Sequence, residues 1–284
     1  MFNWLRRKEE APAVEGPEPS LRDVLLSKQP SDTFLRWLQS GYLQEVLPDL
    51  AALHGVSQLP AHKDDAFVHT LKVVDAIEPT PVRRWAALLH DIGKGPAYIE
   101  TPEGRSRFFD HDRIGTVMVG EIMPAAGEND ELTREVQKLV SLHMRPISYN
   151  PEWSDSAVRR LREEAADGRG EDGWRDLLAL SRADLRGYLP EPIDRGLWVL
   201  DSLEERSRRL AEEEEQNERL EVSRPRSPLD GTELVALANM DPGPWVGRVK
   251  DYLLGEVVAG RLGQDDKTLA AELALQWIKQ HPQS

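Results

Sequence analysis

The decapeptide ALLHDIGKGP limits what this chain can fold into more than any other stretch. Its first half closes an apolar helical run, RRWAALLH, in which Trp85, Leu88 and Leu89 fall at helical spacing. Gly93 and Gly95 then stop the helix, with Pro96 behind them. In mid-helix, neighbouring side chains point about 100° apart. At a helix end the backbone can bend so that His90 and Asp91 converge on one ion. Imidazole with carboxylate suits Zn, Mn, Fe, Co or Ni, and added oxygen ligands favour Mg or Mn. An HD dipeptide alone is a weak signal. It gains force only if further His and Asp residues arrive on other helices.

The histidines meet that condition in order. Residues 64–77 form a helix capped by Asp64 or Asp65, with Phe67, Leu71, Val74 and Ile77 as its apolar stripe. His69 lies beside that stripe, either as a packed core histidine or as the first partner of the HD pair. His111 opens the helix DHDRIGTVMVGEIM, with Asp110 as a plausible cap and Arg113 following. It reads as a capping or surface residue, or as a ligand. In residues 129–144, Leu132, Val136, Leu139, Val140 and His143 share one face. His143 therefore points inward and needs a backbone carbonyl or a metal, because an unsatisfied buried polar group is costly. Asp184 sits on the apolar face of WRDLLALSRADLRGYL, where a carboxylate needs a cation, and the upstream HD pair favours a metal. His54, beside Gly55, reads as a surface or helix-end residue.

Composition narrows the class further. The 284 residues suffice for a sizeable core, and 39 % apolar with 30 % charged residues fits a soluble globular protein. With no cysteine, disulfides and thiolate metal sites are excluded, and a reducing cytoplasm is expected. No apolar run approaches the ~20 residues of a membrane span, so no membrane partner is expected. A net charge of −14 argues against a broadly basic nucleic-acid-binding surface, while leaving room for a local phosphate pocket.

The chain divides into a disordered, Glu- and Pro-rich tail over residues 1–20, N-terminal helices over 21–60, a metal-binding domain over 61–200, and an extension over 201–284. In the N-terminal helices Ser31 or Asp32 offers a cap. The extension begins as a long charged helix and continues through the linker SRPRSPLDGT into two or three helices. No stretch alternates with period two, so no sheet is expected. The fold class is all-α: an irregular bundle of about five core helices around the metal, with a smaller C-terminal helical part.

The series His69, His90-Asp91, His111, His143, Asp184 resembles, at all six positions, the HD superfamily of metal-dependent phosphohydrolases. The resemblance implies that His69, His90, Asp91 and Asp184 hold one divalent metal. His111 and His143 would hold a second metal sharing Asp91, or contact phosphate. The cofactor is then one or two ions of Mn, Ni, Co, Fe, Zn or Mg. Bound metal lowers the pKa of a water ligand and withdraws charge from a phosphoryl oxygen. Asp91 would be central to that chemistry. Lys94 and Arg113 would neutralise phosphate charge, or else are solvated surface residues.

A second resemblance is carried by GYLQEVLPDLAALHGV, RWAALLHDIGKG and SPLDGTELVALANMDPGPWVGRVKDYLLGEVVAGRL. Over roughly residues 31–275 the chain is similar to the back half of bacterial poly(A) polymerases and CCA-adding tRNA nucleotidyltransferases. Nothing before residue 60 resembles that family's nucleotidyltransferase head, with its Gly-Gly loop and paired carboxylates. The resemblance therefore implies a free-standing HD region with the helical extension, and not nucleotide addition. The expected activity is hydrolysis of a nucleotide, a cyclic nucleotide or an RNA terminal phosphate. The partner would be a phosphorylated small molecule or an RNA 3′ end, with tRNA contact implied by the family. The alternative is a non-catalytic RNA- or partner-binding module, perhaps acting with a separate head protein. The sequence leaves the oligomeric state open.

Overall fold

The computed structural model describes residues 18–58, 64–101, 106–187 and 190–282, so most of the expected N-terminal tail (residues 1–17) lies outside the described residues. In chain order the helices are α1 (Leu21–Leu26), α2 (Pro30–Ser40), α3 (Tyr42–Val46), α4 (Pro48–Ala51), α5 (Ala66–Ala76), α6 (Pro81–Leu89) and α7 (Lys94–Ala97). A hairpin of β1 (Tyr98–Glu100) and β2 (Ser106–Phe108) follows. Then come α8 (His111–Ala125), α9 (Asp130–Leu142), α10 (Met144–Ile147), α11 (Asp155–Ala166), α12 (Glu171–Gly187), α13 (Pro190–Ser223), α14 (Gly231–Ala238), α15 (Pro244–Val258) and α16 (Lys267–Gln280). The fold is all-α apart from that hairpin.

The hairpin corrects the expectation that no sheet forms. Its strands pair antiparallel, Tyr98 with Phe108 and Glu100 with Ser106. Three residues give a single alternation, too short a signal for period two. Two cap expectations are also corrected. α2 starts at Pro30, whose fixed φ suits the first helical position, so Ser31 and Asp32 fall inside its first turn. Asp110 occupies the cap position of α8 in a left-handed conformation (φ 55°) and makes no side-chain cap bond. Elsewhere the caps follow sequence chemistry: Asp65 accepts from the Val68 N–H on α5, Thr80 from Arg83 on α6, and Asn129 from Leu132 on α9.

The chain forms two compact units, Met1–Leu210 and Ala211–Ser284, with the division inside α13. In the first unit, α5, α6, α9 and α12 pack on one another around a core that includes Phe34, Phe67, Leu71, Trp85, Leu88, Val136, Leu139 and Leu177. Fully burying a side chain of this size is worth roughly 1.5–3 kcal/mol. Polar ties fix the rim. Glu128, buried between elements, accepts from Trp85 Nε1 at 2.9 Å and pairs with Arg22. Asp176 on α12 accepts from Arg83 on α6 and from Arg169, each at 2.7 Å. The second unit has its own core of Leu234, Trp245, Val249, Leu253, Ala270 and Ala274. Its α14 opens with a reciprocal capping box between Asp230 and Glu233.

Candidate metal centre

All six predicted ligand residues meet inside the first unit, and all six are buried. α5 supplies His69, the end of α6 supplies His90 and Asp91, α8 begins with His111, α9 ends at His143, and α12 carries Asp184. Two groups form. His69, His90 and Asp184 place their ligand atoms within 4.8 Å of one another, as do Asp91, His111 and His143. In the first group, Asp184 Oδ1 lies 2.9 Å from His69 Nε2 and 3.6 Å from His90 Nε2. In the second, Asp91 Oδ1 lies 3.5 Å from His111 Nε2 and 3.8 Å from His143 Nε2. The other oxygen of Asp91 faces the first group, 3.2 Å from His90 Nε2 and 3.8 Å from His69 Nε2. One carboxylate thus spans both.

Short-range backbone bonds aim the rings. His90 Nδ1 donates to the carbonyl of Ala87 at 2.8 Å, His111 Nδ1 to Phe108 at 3.0 Å, and His143 Nδ1 to Val140 at 2.7 Å. A carbonyl can only accept, so these nitrogens carry the protons. In the neutral ring each Nε2 then keeps its lone pair directed into the cluster, the tautomer a metal ligand requires.

The donor set fits a divalent cation. His90 Nε2 is fully buried and finds no hydrogen-bond partner, although two carboxylate oxygens are near. His111 Nε2 and His143 Nε2 face each other at 3.3 Å. Two lone pairs at that distance repel unless a proton or a cation lies close to both.

The charges agree. Burial alone would lower the His90 imidazolium, but the carboxylates of Asp91 and Asp184 outweigh it and push it up to about 10. Burial also opposes ionisation of Asp91, yet His90, Lys94 and His69 hold it well below the usual carboxylate range. Asp184 is likewise lowered against its burial, by hydrogen bonds and charge from His69 and His90. His143 moves the other way, lowered to about 4 by burial and then by the neighbouring His90 charge. In the metal-free cluster, a proton at His90 supplies the positive charge that two buried carboxylates need.

Lys94 is buried rather than solvated. Its Nζ donates to Asp91 Oδ2 at 2.6 Å and to Gln58 Oε1 at 2.7 Å. Arg113, two residues into α8, is exposed, and among the described residues the ion pairs and hydrogen bonds of the cluster do not include it. His54 is exposed and pairs with Asp65, outside the cluster.

Sequence reasoning missed Gln58, which sits in an unpatterned loop. It also read Gly93 only as a helix stop. A Cβ at Gly93 would lie 2.0 Å from the carbonyl oxygen of His111 and 2.7 Å from the Gly115 nitrogen. Glycine therefore lets the HD turn nest against the start of α8. Gly187 does the same for α12, where a Cβ would lie 2.7 Å from the His69 ring. Both glycines stand close to ligand residues in sequence, the one signal available.

An HD domain family model matches residues 82–179, the stretch that carries most of this cluster. That match includes His90, Asp91, His111 and His143, while His69 and Asp184 flank it and are brought in by α5 and α12. Over nearly its whole length the chain is similar to tRNA nucleotidyltransferases. It is 28 % identical to the A-adding tRNA nucleotidyltransferase of Deinococcus radiodurans, over 96 % of this chain and 60 % of that protein. It is 33 % identical to the CC-adding tRNA nucleotidyltransferase of Thermus thermophilus, over 92 % of this chain and 57 % of that one. A multifunctional CCA protein of Pseudomonas savastanoi is 38 % identical over 126 residues, 42 % of this chain. The chain thus spans less than two thirds of the length of these relatives. No helix among the described residues is long and apolar enough to cross a membrane.

Proposed function

We propose that this chain is a metal-dependent phosphohydrolase acting in the cytoplasm on a nucleotide, a cyclic nucleotide or an RNA terminal phosphate. The observation that carries this reading is the reach of Asp91, whose two oxygens face two separate buried groups of ligand atoms. When bound, one or two divalent ions would supply an activated water and Lewis acidity towards a phosphoryl oxygen. His69, His90, Asp91 and Asp184 would hold the first ion, and Asp91 with His111 and His143 would hold the second. Lys94 keeps Asp91 ionised and oriented. It uses two of its three donors on Asp91 and Gln58, leaving one for a phosphoryl oxygen. Arg113, exposed at the start of α8, adds positive charge for the substrate. Residues 61–200 form the working domain, and residues 201–284 the extension.

A second reading, a non-catalytic RNA- or partner-binding module with tRNA contact, is favoured by similarity to tRNA-acting relatives that continues well beyond the matched HD domain.

The test is elemental analysis of the purified chain, followed by a panel of phosphomonoesters, 2′,3′-cyclic nucleotides and cyclic dinucleotides with Mn, Ni, Co and Mg. Asp91→Ala serves as the blank. Turnover that disappears in the variant supports the hydrolase. Bound metal without turnover on any ester moves the assignment to the binding module.

A further inference from the structure

The second group of ligand atoms is divided between two helices that run side by side in opposite directions. α8 begins at His111, and α9 ends just before His143. Neighbours across the seam follow in antiparallel order: His111 faces His143, Gly115 faces Val140, and Thr116 faces Gln137. Both rings are tied to backbone carbonyls, so the 3.3 Å between their Nε2 atoms depends on the register of the two helices. That spacing suits a shared ion. Two imidazole nitrogens at a tetrahedral angle, each about 2.1 Å from one metal, stand about 3.4 Å apart. Ligand distances must hold to about 0.2 Å, so a small change of register is enough to weaken such a position.

Apolar packing fixes the register poorly. Val119 and Met123 on α8 and Val136 and Val140 on α9 are buried, but hydrophobic contact has no direction. Interlocking ridges of side chains normally supply one. Here α8 has glycine at two places along the seam. A Cβ at Gly115 would lie 3.3 Å from Val140 Cγ1, and one at Gly120 would lie 2.7 Å from Gln137 Nε2. The helices come close there, with no ridge to hold them in step.

A hydrogen bond holds them instead. Gln137 Nε2 on α9 donates to the Thr116 carbonyl of α8 at 3.0 Å. Among the described residues it is the only side-chain hydrogen bond between α8 and α9. Both partners lie within two helical turns of the histidines. A hydrogen bond has a required length and angle, so it fixes the axial position that apolar contact leaves loose.

We infer that Gln137 is a positioning residue for the second metal position. It acts through the α8–α9 register, setting the separation of His111 and His143 while touching neither ion nor substrate. The inference rests on the two-ion form of the hydrolase reading.

Calorimetric titration of Mn into the chelator-stripped full chain tests it, with the melting temperature of each stripped variant measured alongside. His143→Ala removes a ligand of the second group only and so identifies the second binding step. Gln137→Met keeps the length of the side chain and removes its donor. It should weaken the second step about 10- to 100-fold, the usual worth of a group that orients a metal ligand, and leave the first step unchanged. Gly120→Ala should do the same, because its methyl would displace the Gln137 amide. The double variant should lose no more than the larger single, since both remove one contact. Met123→Ala controls for loosening alone. It opens a cavity at the far end of the same buried row of α8 and should lower the melting temperature while keeping both steps. Two Mn steps in the wild type, with the second indifferent to Gln137→Met, overturn the positioning role and leave the two-ion reading standing. Equal weakening of both steps, additive losses in the double variant, or an equal loss in Met123→Ala overturn it too. A wild type that takes up fewer than two ions sinks the two-ion reading, and the inference with it.

Discussion

The two units put opposite chemistry at their centres. In Met1–Leu210 the innermost residues include four histidines, two aspartates and a lysine. In Ala211–Ser284 no polar or charged side chain among the described residues is buried, and the core is Leu, Val, Ala and Trp. Burying charges costs several kcal/mol per ion unless each is matched by a partner. The first unit carries that cost in a cluster whose lone pairs and carboxylates suit a cation. The second unit shows that this chain can build a core without one. The polar centre therefore reads as function, and the apolar centre as scaffold.

Substitutions at the two centres should separate these roles. Asp91→Ala should have the largest effect, abolishing ester hydrolysis and lowering metal content at both positions, read by elemental analysis on the refolded and native protein. Leu234→Ala, at the centre of the other core, should cost about 2–5 kcal/mol of stability. It should leave metal stoichiometry unchanged, and a loss of metal there would break the separation. Gly187→Ala falls between, since its methyl would press on the His69 ring. About 1–3 kcal/mol of overpacking is expected, together with weaker metal retention during dialysis against a chelator.

The pH response sharpens the contrast. His90 has its folded pKa raised from 6.5 to about 10. In the metal-free chain its stabilising contribution is complete below pH 6.5 and fades as pH rises through 10. Asp91 and Asp184 are lowered from 3.8, so theirs is present above that value and fades as pH falls. Chelator-treated protein should therefore lose melting temperature above about pH 9, and metal should abolish that loss. Loading metal near pH 8 should release about one proton, measurable in weakly buffered solution. The smallest effect belongs to the charged stretch of α13. There Arg219→Ala removes a pair with Glu215 in which both side chains are exposed, and the melting midpoint should stay within error of wild type.

Much of the site was legible in the sequence because helical periodicity accumulates. His143 follows Leu132, Val136, Leu139 and Val140 over three turns, so its inward direction is over-determined. Asp184 stood out because an apolar face makes a carboxylate conspicuous. The spans of α5, α6, α9 and α12 followed from the same period. What escaped was set by contacts between distant residues. Lys94 could pass for a solvated lysine until Gln58 and Asp91 closed around it. The hairpin needed two three-residue segments to find each other, and neither carries a pattern alone. The left-handed turn at Asp110 carries no glycine to announce it. The pairing of the six ligands into two groups across one carboxylate came from the family resemblance alone, because periodicity cannot bring residues of different helices together.

The backbone tethers of His90, His111 and His143 have a mechanical corollary. Each ring is fastened to the carbonyl three residues before it, so its aim is decided by the local chain segment alone. The cluster behaves less like adjustable fingers than like pins moulded onto separate rigid parts. Its accuracy is the accuracy with which α6, α8 and α9 seat against one another. A packing change far from the cluster that slides α9 along its neighbours would carry His143 the same distance, with no rotamer free to absorb the error.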